Sequence, residues 1–100
     1  MDGFVPYPIA PSVRKLANRL FPQRASQVLE MLAGGELPMS SRNPERVHLA
    51  ILLICGSDFA RFERELREAQ KDWRDTLCSA GLENENWRDV LYARGVDVAS

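Results

Sequence analysis

The chain has 100 residues, 45% of them hydrophobic and 27% charged, which is the make-up of one globular domain rather than two. Thirteen Lys plus Arg against fourteen Asp plus Glu leave a formal charge of -1, so no global field draws the chain toward nucleic acid or anionic lipid. The longest apolar run, Leu49 to Cys55, is seven residues, well short of the ~18 that a bilayer span needs; with prolines where a signal peptide needs an apolar core, a cytoplasmic protein without membrane contact is expected.

Residues 1–11 carry Pro6, Pro8 and Pro11, each of which fixes its own φ and biases the preceding residue toward extended geometry, so this stretch is predicted to be an extended arm. Phe4, Val5, Tyr7 and Ile9 make the arm too apolar for a solvated tail, and it should lie across the domain or a neighbouring subunit. Ser12 is a candidate N-cap for a first helix over 12–21, whose Val13, Leu16, Ala17, Leu20 and Phe21 fall on one face. Pro22 suits the first turn of a second helix over 22–33, where Ala25, Val28, Leu29 and Leu32 form the next stripe and Gly34-Gly35 ends it. Residues 36–42 read as a loop.

Asn43-Pro44-Glu45 is a helix start, with a capping amide, a proline in the first turn and an acid at the positive end of the dipole. The helix that follows, over 44–55, is apolar on nearly every side and is therefore predicted to be buried at the centre. Ser57 can cap a long helix over 58–80, in which Phe59, Phe62, Leu66, Ala69, Trp73, Thr76 and Ala80 recur in heptad-like steps, with Glu63 and Arg67 in the favourable i, i+4 order. That rod would be about 34 Å long, able to protrude and to pair with a second copy. Gly81 suits a left-handed C′ position with Leu82 as its hydrophobic contact, and a short helix over 84–94 carries Trp87, Val90 and Leu91 before Gly95. Trp73-Arg74-Asp75-Thr76-Leu77 with Gly81 recurs fourteen residues later as Trp87-Arg88-Asp89-Val90-Leu91 with Gly95. The whole reads as an all-α, compact orthogonal or bundle-like domain of about five helices spanning 12–95, with one long helix in its C-terminal half and a flexible tail over 96–100.

No residue set stands out for catalysis, and no cofactor is implied. His48 is the only histidine and sits on the buried helix with Leu52 and Cys55 on its stripe. Zinc wants four ligands, or three plus water, and a second shell that this pattern does not supply, so no metal site is expected. Cys55 and Cys78 read as two buried, reduced thiols. Gly56-Ser57-Asp58 is a stop and a cap, because a nucleophile elbow needs glycine on both sides of its serine. The acids between Glu63 and Asp75 alternate with basic residues as on a solvated helix face.

Arg46-Val47-His48-Leu49-Ala50-Ile51-Leu52, Gly56-Ser57-Asp58 and Asp72-Trp73-Arg74-Asp75-Thr76-Leu77 together resemble a group of small bacterial helical proteins without assigned function. The resemblance spans residues 45–80. It implies a compact helical domain of bacterial origin and transfers no catalytic or binding residue; the second copy at Trp87 and the proline-rich arm depart from the pattern.

Two functions follow as expectations. The first is a non-enzymatic interaction or assembly module, with a homodimer as one form of it, whose unknown protein partner meets Trp73, Arg74, Trp87, Arg88 and the arm residues Phe4 and Tyr7, since aromatic residues and arginine dominate binding hot spots. The alternative is a weak nucleic-acid-binding regulator. Residues 3–29 hold Arg14, Lys15, Arg19 and Arg24 with no acid, and in a helix-turn-helix outline these four would contact phosphates together with Arg42 and Arg46. So few bases release little counterion, and a recognition helix needs an exposed polar face that 47–55 lacks, so nucleic acid is the weaker expectation.

Overall fold

Residues 9–34, 44–96 and 98 are described by the computed structural model, and within them the chain forms six α-helices and no strand. These are α1 (Pro11–Leu20), α2 (Ala25–Gly34), α3 (Pro44–Cys55), α4 (Phe59–Lys71), α5 (Trp73–Ala80) and α6 (Trp87–Ala93). Val47 through Leu52 are six consecutive buried residues of α3, with Cys55 a seventh, so the helix is enclosed as its composition requires. α4 and α5 lie against it most extensively, followed by α1, while α2 packs on α1.

The expected rod over 58–80 is two helices. Asp72 stands at φ -153, ψ 90, its N–H closing α4 onto the Glu68 carbonyl at 2.9 Å and its carboxylate accepting the Arg74 N–H at 3.2 Å to open α5. An unbroken 58–80 helix would run about 34 Å, most of the 39 Å long axis of the molecule; broken at Asp72, both halves lie against α3. Phe62, Leu66, Ala69, Thr76 and Ala80 are buried, with Phe59 and Trp73 half-buried, so the heptad-like seam is the core face of both pieces and is used within the chain. Among the described residues the only ion pair is Lys71–Glu68 at 3.9 Å, and the expected Glu63–Arg67 pair is not made.

Other boundaries also move. Ala10, not Ser12, is the N-cap of α1, and Pro11 supplies its first turn. Ser12 is buried and its hydroxyl donates to the Glu45 carboxylate, which places an acid beside the positive ends of both α1 and α3. Pro22 lies in a turn over 22–24 rather than in α2. Asp58, not Ser57, caps α4 by accepting the Arg61 N–H at 3.1 Å, and α6 begins at Trp87, not Asn84. Asn43 and most of the arm, Phe4 and Tyr7 included, lie outside the described residues.

The repeated Trp-Arg-Asp segments become α5 and α6, and both end alike. Gly81 and Gly95 take φ 78 and 83, with Leu82 N–H on the Leu77 carbonyl and Val96 N–H on the Leu91 carbonyl, each at 2.9 Å. The paired bond from each glycine to Cys78 or Tyr92 completes a Schellman end, and Leu82 and Val96 are the buried hydrophobic contacts that go with it. With Val96 buried and Val98 packed on the core, the folded chain continues past residue 95.

Phe21, Phe59 and Phe62 form a ring cluster with centroids 5.8 to 6.1 Å apart, joining the end of α1 to the start of α4. Phe62→Ala is expected to cost about 3–5 kcal/mol, against about 1 kcal/mol for loss of the junction cap in Asp72→Ala. Urea unfolding followed by circular dichroism measures both, with the native spectrum of Asp72→Ala nearly unchanged.

Candidate functional site

The residues with catalytic chemistry are enclosed by the packing of α3. His48 is 0% exposed, and neither imidazole nitrogen has a hydrogen-bond partner among the described residues. Burial lowers its pKa from 6.5 to about 4; the Leu32 carbonyl of α2 pulls the other way, near enough to favour the charged form without hydrogen-bond geometry. Cys55 is buried, its thiol facing the Leu52 and Gly56 carbonyls at 3.5 and 3.4 Å. Burial pushes that thiol up to about 12, opposed by the backbone of Cys55 itself and by Arg61, with Glu65 and Asp58 adding to the rise. A neutral imidazole and a protonated thiol without access to solvent do not make a nucleophile and base pair. Cys78 departs from expectation: it is exposed on α5, not buried. Among the described residues no group of three His, Cys, Asp or Glu side chains is placed to hold a metal ion.

The aromatic-arginine set is divided by the fold. Trp87 is 4% exposed and belongs to the core, which removes it from any contact surface. Arg88 lies over its ring at 4.4 Å and Arg46 at 5.7 Å. Arg46 also donates from Nε to the Leu82 carbonyl at 2.6 Å and from a terminal nitrogen to the Asn84 carbonyl at 3.0 Å. It therefore fastens the α5–α6 connection to the first turn of α3 with two of its five N–H groups. Trp73 is half-buried with Arg74 over it at 5.4 Å; Arg74 and Arg88 are themselves exposed. The signal for the Arg46 clamp is long-range, 36 residues from Arg46 to Leu82, and no local pattern contains it.

The basic residues, in contrast, stay on the surface. Arg14, Lys15 and Arg19 share the solvent face of α1 with Asn18, and Arg24 is exposed in the following turn, its guanidinium 4.7 Å from the Phe59 ring centre. None of the four has an acid within ion-pair distance among the described residues. Lys15 and Arg19 also border a cleft of about 220 Å³ between α1 and the end of α6, closed by Leu16, Gly95 and Val96. An open groove of about 430 Å³ lies beside Phe21, Arg24 and Phe59. Tyr92 of α6, 74% exposed, is the one large hydrophobic side chain left fully in solvent among the described residues. Neither cleft reaches His48 or Cys55.

Comparison with protein-family models, curated proteins and solved structures finds no match for this chain. No helix among the described residues is long and apolar enough to cross a membrane.

Two outcomes follow from the burial. The unfolded chain takes up a proton at His48 near pH 6.5 while the folded chain resists until about pH 4. Stability contributed by the neutral imidazole is thus complete above pH 6.5 and is lost as pH falls toward 4, by about 3 kcal/mol. The difference in unfolding free energy between wild type and His48→Leu, measured by denaturant titration across that range, should shift by about this amount, and a constant difference contradicts the buried neutral imidazole. Trp87→Ala should cost about 3–5 kcal/mol of folding stability in the same measurement.

Proposed function

We propose that the protein is a non-enzymatic interaction module that docks an acidic protein surface on the outer face of α1. The observation that carries this reading is the set of exposed cations Arg14, Lys15, Arg19 and Arg24, none in an ion pair among the described residues, on a segment whose only described acid is Glu30. A helix built for stability alone places acids in its first turn and opposite charges at i, i+4. α1 has no acid in its first turn and carries Lys15 and Arg19, a like-charged pair at that spacing, at a cost of ~0.2–0.5 kcal/mol. An acidic partner reverses the sign of that cost. Arg74 and Arg88 remain on the surface as secondary contacts, whereas Trp87 does not.

Nucleic acid is the second reading, favoured by the same cations. It is weaker because Arg46 is engaged by two carbonyls and α3 has no free face to enter a groove, so nothing reads bases. Four phosphate contacts also limit the slope of log affinity against log salt to about -4.

Retention on immobilised polyglutamate tests the proposal. Neutralising Arg14, Lys15, Arg19 and Arg24 to Gln should abolish retention with an unchanged helical spectrum. Neutralising Arg61, Arg64, Arg67 and Lys71 of α4, an equal change in net charge, should leave it intact. Equal losses from both sets mean that only net charge is being read, and the proposal fails. Binding to duplex DNA that exceeds binding to polyglutamate at the same ionic strength selects the second reading.

A further inference from the structure

Along α1, Ser12, Lys15, Leu16 and Arg19 recur at three- and four-residue steps and form one wall of the cleft that faces Gly95 and Val96. The opposite wall depends on Gly95. Its φ of 83, a left-handed conformation that favours glycine, turns the chain at the end of α6 and brings its backbone beside the Arg19 guanidinium. Arg19 donates to the Gly95 carbonyl at a long 3.4 Å, which occupies one of its five N–H groups. Lys15 is exposed and has no ion pair among the described residues. Their positions, four residues apart on a helix, set the two side-chain roots about 6 Å from each other, so two cationic heads can bracket one anion. Leu16 and Val96 are buried beneath them, and an apolar floor strengthens the field above it.

Glu45 stands outside the lining of this cleft, in which none of the described residues is an acid. Its carboxylate accepts the Ser12 hydroxyl, so it is held at the Ser12 end, one turn from Lys15 and two from Arg19. Negative charge is favoured at the opposite end. A carboxylate presents two coplanar oxygens and a single charge, which one guanidinium satisfies. An ammonium and a guanidinium on either side suit a dianion with three acceptor oxygens. At about 220 Å³ the cleft is smaller than the range typical of whole small-molecule ligands, so it admits a terminal group and not a complete cofactor.

We infer that the cleft between Lys15, Arg19 and Gly95 is a seat for a phosphomonoester group, carried on a phosphorylated side chain of the protein partner. The inference rests on the reading of α1 as a docking face and assigns that face its anchor. Arg14 and Arg24, outside the cleft, then meet acids flanking the phosphorylated residue.

The probe is a phosphoserine peptide titrated into the full chain at neutral pH, followed by amide NMR, with its unphosphorylated form and acetate as comparators. Saturable shifts are expected at Gly95, Val96 and the Lys15–Arg19 turn with the phosphopeptide only. Lys15→Gln and Arg19→Gln should each weaken binding by about tenfold, whereas Arg67→Gln, an equal loss of charge on α4, should not. Affinity should also fall as pH drops through about 6, where the phosphate loses its second charge. Absence of saturation, equal shifts with acetate, or an Arg67→Gln effect matching that of Arg19→Gln overturns the seat. Tighter binding of a 5′-phosphorylated oligonucleotide than of the phosphopeptide overturns the assignment to a protein. If polyglutamate retention persists while the phosphopeptide does not saturate, the seat is lost and the wider docking face stands.

Discussion

A helix without a solvent side must be enclosed, and α3 is such a helix. Six consecutive residues from Val47 to Leu52 are buried, so no arrangement that leaves one flank of it open is compatible with its sequence. The remaining elements satisfy that demand: α4 and α5 cover it most fully, α1 adds a further flank, and Arg46 holds the connection before α6 against its first turn. The break at Asp72 follows from the same demand. A straight rod presents one line of contact, whereas two shorter helices joined at an extended aspartate turn their apolar faces onto α3 from two directions.

Enclosure sorts the reactive side chains. His48 and Cys55 are on the enclosed helix, so burial holds one neutral and the other protonated. Trp87 is drawn inward beneath two arginines, and Arg46 is committed to carbonyl acceptors. The outer face of α1 escapes this sorting because its burial stops at Ser12, Val13, Leu16 and Ala17. Charge collected there remains accessible, and the cleft at Gly95 is the place where it meets a second element.

Much of the fold was legible because it is punctuated locally. Pro44 and Gly56 bracket α3 at the predicted residues, and Gly81 and Gly95 terminate helices through their positive φ. The helical reading of α3 rests on its start at Pro44 and its stop at Gly56, and its buried identity on a run that is apolar on nearly every side. The rod was misread because the three- and four-residue spacing of Phe62, Leu66, Ala69, Trp73, Thr76 and Ala80 passes through Asp72 without a shift in phase. An aspartate can cap as readily as it can decorate a solvated face, and only the need to wrap α3 decides between them. Cys78 was misplaced by the general tendency of free cysteine to be buried, although Leu77 beside it takes the core position. Of the candidate site, the basic face was visible as an acid-free stretch, whereas the Arg46 clamp and the Lys15–Arg19–Gly95 cleft join residues far apart in the chain. No local pattern encodes such contacts.

Native-state hydrogen exchange tests the central role of α3 most directly. The amides of Leu49 to Cys55 should exchange only through global unfolding, with a free energy equal to that from denaturant titration, while amides of α1 and α6 exchange through smaller openings. Exchange from α3 at a lower free energy than from α4 would show that the enclosed helix is not what the other elements are built around.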